Sequence, residues 1–135
     1  MENTVKLHDD DESILILTLN KELKDWKKNL DFIEKELIFL RSLLESTLAK
    51  SLNKNKEDKS YLHNTLKKVL ENNKMFYNRT INFTNKTLEI RECEDMHCEA
   101  YFFNEHFEFH NKLNKHLEKV RNLKLIIFNF LEKNN

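Results

Sequence analysis

Residues 16–44, ILTLNKELKDWKKNLDFIEKELIFLRSLL, decide the fold. Ile16, Leu19, Leu23, Trp26, Leu30, Ile33, Leu37, Leu40 and Leu44 follow alternating steps of three and four. That spacing keeps every one of these side chains on a single helix face, and it is the seam of a helix packed lengthwise on others at a shallow angle. Phe39, Leu43 and Leu48 flank the stripe and widen it, which points to a bundle rather than a two-stranded coil. Upstream, Asp9 and Glu12 have the spacing of a capping box, so the helix is expected to begin near Asp10. Asn20 is the alternative cap, leaving residues 14–17 as a separate arm. The stepping passes through that point unbroken and favours one helix over about 11–52. The polar segment Asn53–Ser60 then ends it, and Asp58 or Ser60 can cap the next helix.

Two more stripes lie downstream. Leu62, Leu66, Val69, Asn73, Phe76, Thr80, Phe83, Thr87 and Ile90 predict a second helix over about 59–91, with Asn and Thr where the first has Leu. Met96, Phe103, Leu113, Leu117, Val120, Ile127 and Leu131 predict a third over about 95–132, with Phe102, Phe107, Phe109, Leu123 and Phe130 alongside. The turn between them is expected at Glu92–Asp95, with Asp95 as N-cap; its rival is one unbroken helix from Ser60 onward, packed as a dimer. Among the 135 residues there is no glycine and no proline. Those two supply most tight turns and hairpins, so their absence removes β and α/β alternatives. The expected fold is all-α: one domain over 1–135, an antiparallel up-down-up three-helix bundle of long helices with coiled-coil-like packing.

Charge and composition exclude more than they assign. Lys+Arg and Asp+Glu are 23 each, a net charge of zero. Phosphate affinity rests on excess Lys and Arg, so no nucleic-acid partner is expected. No Gly-rich phosphate cradle exists, so no nucleotide is expected. The apolar runs at residues 14–17 and 125–128 are too short to span a bilayer, so no membrane partner is expected either. No nucleophile–base pair stands out, and the chain reads as no enzyme. Cys93 and Cys98 are five apart; on one continuous helix they point in different directions and do not bridge. Free thiols and an acidic N-terminus then suggest a cytoplasmic location. Asn78, Asn82 and Asn85 begin Asn-x-Thr sequons, read as accidents of an Asn- and Thr-rich helix.

One polar feature interrupts the stripes. In the third helix one column runs Ile127, Val120, Leu113, His106, Glu99. A second runs Leu131, Lys124, Leu117, His110, Phe103, Met96. His106 and His110 thus lie on a face that buries leucine further along, four residues apart and able to share one ion. A transition-metal site of His106, His110 and Glu99, completed by Glu34 or an external ligand, is one reading. The other is a hydrogen-bonded core pair, satisfied by Thr80, Thr87, Glu or backbone carbonyls, that sets helix register. Glu94-x-x-His97 matches a di-iron motif, but a second copy is missing. Cys93 and His97 have zinc-ligand spacing if helical, and Glu92 and Glu94 would oppose a reactive thiolate at Cys93. His8, His63 and His116 read as surface or boundary residues, and Trp26 as a core anchor.

Two stretches, Trp26–Leu44 (WKKNLDFIEKELIFLRSLL) and His106–Leu131 (HFEFHNKLNKHLEKVRNLKLIIFNFL), resemble segments of small uncharacterised all-helical proteins of Bacteroidota-type bacteria. The resemblance implies a cytosolic helical bundle and transfers no activity and no site residue. From the residues themselves, the expected function is association, with a second copy or with a partner helix. The alternative is a metal-binding or metal-sensing bundle at His106 and His110.

Overall fold

The computed structural model describes residues 2–50 and 56–134, with side chains described over 11–47 and 56–134. Three long helices pack together: α1 (Glu2–Lys50), α2 (Lys56–Thr87) and α3 (Met96–Lys133). A 3-10 segment, Leu88–Glu92, continues from α2, and no strand occurs among the described residues. At 1.5 Å per residue α1 is roughly 75 Å long. No helix among the described residues is long and apolar enough to cross a membrane.

The α1 stripe is buried at every expected position except Trp26, which is half-buried. The α2 stripe is buried from Leu62 to Ile90 with only Phe83 half-exposed, so Asn73, Thr80 and Thr87 are core residues. Among the described residues the core falls into three clusters along the rod. At one end Ile33, Leu37, Leu40 and Leu44 meet Leu62, Leu66 and Val69 of α2 and Val120, Leu123 and Ile127 of α3. In the middle Leu30, Phe76, Phe109 and Leu113 pack together, with Trp26 and Phe83 against them. At the far end Ile16 and Leu19 meet Ile90, with Leu15 and Phe102 alongside.

Four expectations are corrected. First, α1 starts well before Asp10, so Asp9 and Glu12 lie inside it rather than capping it; nothing from 2 to 12 is a helix breaker. Second, Phe39 and Leu43 do not widen the core: both are exposed, and the Leu48 side chain lies outside the described residues. Third, α2 begins at Lys56, which places Asp58 in its first turn and Ser60 one residue beyond Lys59 in the helix. Of the expected loop, 53–55 lie outside the described residues. Fourth, Met96 and Phe103, expected on the inner face of α3, are exposed. The inner face instead steps through His106, Phe109, Leu113, His116, Val120, Leu123 and Ile127. The column of Leu131, Lys124, Leu117 and His110 is a half-buried flank.

The ends of the helices are fixed by polar groups. Asp95 is the N-cap of α3, as expected; its backbone is extended and its Oδ1 accepts from the Cys98 N–H at 2.9 Å. Lys59 is only 2% exposed, and its Nζ donates to the Thr47 carbonyl at 3.4 Å. That carbonyl lies in the last turn of α1, where cations satisfy orphan acceptors.

Candidate functional site

Polar groups enter the core at two levels, both on the inner face of α3. At the first, Asn73 of α2 is 1% exposed and reaches both other helices. Its Nδ2 donates to the Leu30 carbonyl of α1 at 2.9 Å, and its Oδ1 faces Nε2 of His116 of α3 at 2.9 Å. A carbonyl only accepts, so Nδ2 must be the donor there. Oδ1 then needs a hydrogen, and His116 must carry its proton on Nε2. The imidazole stacks on Phe76, centroids 4.8 Å apart. Burial, reinforced by the charge of Lys119, holds the His116 pKa below its ordinary 6.5. His116 is therefore a neutral core donor, not the surface residue its composition suggests.

The second level lies towards the N-terminus of α3. His106 is buried, and its Nε2 meets Oε2 of Glu22 of α1 at 2.9 Å. Its ring stacks on the Trp26 indole at 4.8 Å, and the half-buried His110 stacks on the same indole at 5.1 Å. Phe109 fills the space beside Trp26 and Phe83 at 5.8 and 4.7 Å. The two histidines thus gather around one aromatic platform, with a carboxylate on one of them. Thr80 and Thr87 do not serve them: their hydroxyls donate back to the Phe76 and Phe83 carbonyls of their own helix.

The other residues singled out from the sequence are spread apart. Glu99 is half-buried in the first turn of α3, two turns and about 10 Å of helix before His106. Glu34 is exposed on α1. Glu94 precedes the helix, and both it and His97 face solvent, so that motif does not form on one helix. Among the described residues, no group of three or more His, Cys, Asp or Glu is arranged to hold a metal ion. His63 is half-buried, with Nε2 3.4 Å from Glu45; His8 lies among residues whose side chains are not described. Glu22 and Asn73 are the partners that sequence reasoning missed. Glu22 sits beside Leu23 on a seam, a position shared by many surface glutamates, so nothing distinguished it. Asn73 lay on the stripe in plain view, but its partner was assigned to the surface.

Cys93 and Cys98 form a disulfide, which corrects the expectation of free thiols. The two residues do not share a helix. Cys93 is extended (φ −67°, ψ 128°) after the 3-10 segment, and Cys98 is in the first turn of α3. The bend between them brings their Cα atoms to 5.5 Å, within bridging range. The cysteines therefore give no ground for a reducing compartment.

Two features lie on the surface. A groove of about 260 Å³ between α2 and α3 is lined by Arg79, Lys86 and Lys112 facing Glu105 and Glu108, with Lys86 5.5 Å over the Phe83 ring. On the other side, Lys124 of α3 and Glu36 of α1 form an ion pair at 3.0 Å. Phe32, Phe39 and Leu43 lie four before, three after and seven after Glu36, and Phe128 lies four after Lys124. All four are exposed, Phe32 and Phe39 by more than 60%. Compared with known protein families, curated proteins and solved structures, the chain matches none.

Proposed function

We propose that this protein is a non-enzymatic helical bundle that works by association, and that the partner at its Phe32–Phe39–Phe128 face is a second copy of the chain. The observation that carries the reading is that strip of exposed apolar side chains flanking the Glu36–Lys124 pair. A Phe side chain offers about 200 Å², so four residues exposed by half or so present about 400 Å² per copy. That is the size at which an apolar patch on a monomer is commonly an interaction site. With a polar rim it makes the centre of an interface of roughly 600 Å² per side, the lower end of specific association. The rim suits a second copy. Asp31 pairs with Lys35 at 3.4 Å, and both signs alternate along the face. A chain of zero net charge meets its copy without net repulsion.

The cross-helix contacts support an up-down-up order for the bundle that presents this face. Glu45 meets His63 and Leu30 meets Asn73, so α2 descends as α1 rises. Glu22 meets His106 and Glu36 meets Lys124, so α3 rises beside α1. In that order α1 and α3 are parallel neighbours, and Phe32, Phe39, Leu43 and Phe128 share one side. The seam stepping fits coiled-coil-like packing.

Sedimentation velocity over a concentration series tests the reading. The wild-type chain is expected to form dimers with a Kd of about 10 µM, some 7 kcal/mol of association free energy. Phe39→Glu with Phe128→Glu should be monomeric with unchanged helicity. A wild-type chain that stays monomeric at about tenfold above that Kd, or a double variant that dimerises equally well, overturns it.

A further inference from the structure

We propose that the Cys93–Cys98 pair is a redox-active clasp: reduction by a dithiol releases the 3-10 segment and the first turn of α3 from α1, while the rest of the bundle stays folded. The proposal is independent of the dimer face. It rests on where the bridge sits and on what it holds. Cys93 closes the 3-10 segment, its N–H bonded to the Ile90 carbonyl at 3.0 Å, and Cys98 opens α3 under the Asp95 cap. The bridge therefore ties the segment carrying Ile90 to the start of a 38-residue helix. Ile90 is 1% exposed and packs with Ile16 and Leu19 in the smallest of the three core clusters. The two larger clusters begin at Leu30, more than two turns further along α1, and do not include any residue of the clasp.

Among the described residues, the apolar cluster at this end is Ile16, Leu19 and Ile90 with Leu15 and Phe102 alongside. Leu88 and Met96, the apolar residues on either side of the bridge, are both exposed. Glu92, Glu94, Asp95 and Glu99 place four carboxylates within eight residues, with Arg91 and His97 the basic side chains among them. Asp95 and Glu99 suit the positive N-terminus of α3, while Glu92 and Glu94 lie ahead of it in the bend that the covalent bond closes. Because the bridge closes a loop of only a few residues, it removes less entropy from the unfolded chain than a bridge between distant segments would. Its loss is felt locally, where the apolar anchorage is least, rather than across the bundle.

The sulfurs differ in access. Cys93 is buried and Cys98 is half-buried, so a thiolate approaches Cys98 Sγ. It forms a mixed disulfide there and expels Cys93 as a thiolate, which takes up a proton. The second thiol of the reductant then attacks its own sulfur in that mixed disulfide. Cys98 is expelled and the reductant is left as its disulfide. Two electrons and two protons pass from the dithiol to the protein, and the reverse sequence with an oxidised dithiol closes the clasp.

Hydrogen exchange read by mass spectrometry on the full chain, air-oxidised and then treated with dithiothreitol, tests this. Amides over 88–102 are expected to exchange about tenfold faster after reduction, with 30–44 and 109–127 unchanged. Protection should return on reoxidation. The Cys93→Ser/Cys98→Ser variant should match the reduced protein with and without dithiothreitol. Any of three results overturns the proposal: two titratable thiols in the air-oxidised chain, equal exchange in both redox states, or loss of protection throughout the bundle.

Discussion

Replacing Asn73 by leucine removes the amide that joins all three helices while keeping its branched heavy-atom shape. Two hydrogen bonds disappear, and they differ in consequence. The Leu30 carbonyl lies inside α1 and keeps its helical partner, so losing the Asn73 donor costs at most about 1 kcal/mol. The Nε2–H of His116 has no such reserve. The ring is 3% exposed, and a buried donor without an acceptor costs about 1–3 kcal/mol. The added apolar burial offsets part of this, leaving a net loss of about 2 kcal/mol. For a domain of this size that lowers Tm by roughly 7 °C. His116→Leu strands Asn73 Oδ1 and should cost a similar amount. The double variant Asn73→Leu/His116→Leu strands neither group, and its loss should fall short of the sum by about 1–2 kcal/mol. Guanidinium unfolding read by Trp26 fluorescence suits the cycle, because this is the sole tryptophan and it is stacked on His106 and His110. Single costs that add to within about 0.5 kcal/mol would refute the reasoning, since non-interacting residues behave that way.

The same layer makes stability depend on pH with a definite sign. The folded state holds the His116 pKa below 6.5, whereas the unfolded chain protonates it near that value. As pH falls through about 6.5 the unfolded state therefore binds more protons, and the stability that His116 contributes is lost. The slope is at most about 1.4 kcal/mol per pH unit and levels off once the folded imidazole also protonates. The contribution is complete above about pH 6.5. Subtracting the pH profile of His116→Leu from that of the wild type should isolate it, and superimposable profiles below pH 6.5 would count against a buried neutral imidazole.

Other perturbations have equally definite outcomes. Leu37→Ala, at a fully buried position, should cost about 3 kcal/mol, whereas Leu17→Ala, 70% exposed, should stay within about 0.5 kcal/mol; calorimetry separates them. Asp95→Ala removes the cap bond to the Cys98 N–H and should cost about 1 kcal/mol by chemical denaturation. His106→Ala should cost about 2 kcal/mol and redden Trp26 emission. Glu22→Gln keeps an acceptor at a half-exposed position and should change unfolding midpoints by less than about 0.5 kcal/mol.

How far these features were legible in the sequence depended on whether their signal was local. The α1 and α2 stripes were readable because leucine, phenylalanine and even asparagine recur with helical period, and period survives polar substitutions. Asp95 was readable because a cap is chosen by its nearest neighbours. In α3 two flanks competed. Beside the Ile127, Val120, Leu113 and His106 column, the expected flank is Leu131, Lys124, Leu117, His110 and Phe103, whereas the structure buries the other flank of Leu123, His116 and Phe109; each flank has apolar and polar members, so hydrophobicity does not rank them. The His116 flank is buried because Asn73 waits opposite His116, a fact that lies 43 residues away in the chain. The disulfide was missed for another reason. Five-residue spacing forbids a bridge on a helix and permits one across a bend; the turn expected at Glu92–Asp95 lies where the structure has it, but the expectation of free thiols places both cysteines on one continuous helix rather than across that turn. Glu22 was beyond reach altogether, since only the packing of α1 on α3 distinguishes it from the other glutamates of its helix.

The distribution of buried polar groups addresses a problem that leucine stripes create. A seam repeating every seven residues packs nearly as well after a slip of one heptad, and turns without glycine or proline fix helix ends only loosely. In α2 the column through Asn73 reads Leu66, Asn73, Thr80, and in α3 the column through His116 reads Phe109, His116, Leu123. Sliding α3 one heptad one way sets His116 against Thr80, whose oxygen can still accept while its hydroxyl donates to the Phe76 carbonyl, but it sets Leu123 against Asn73 and leaves the amide oxygen without a donor. Sliding it the other way sets Phe109 against Asn73 and His116 against Leu66. Either slip strands an amide oxygen in the core, and burying one unpaired polar group costs about 1–3 kcal/mol. The Glu22–His106 contact adds a second check on the same register, between α1 and α3 rather than α2 and α3. Lys59 reaching the Thr47 carbonyl adds one between α1 and α2. Each helix pair thus carries its own polar lock at a different height along the rod. In the Asn73→Leu/His116→Leu variant the α2–α3 lock is gone, at a cost of about 2–3 kcal/mol. Its amide resonances should then show exchange between registers, where the wild type gives one set.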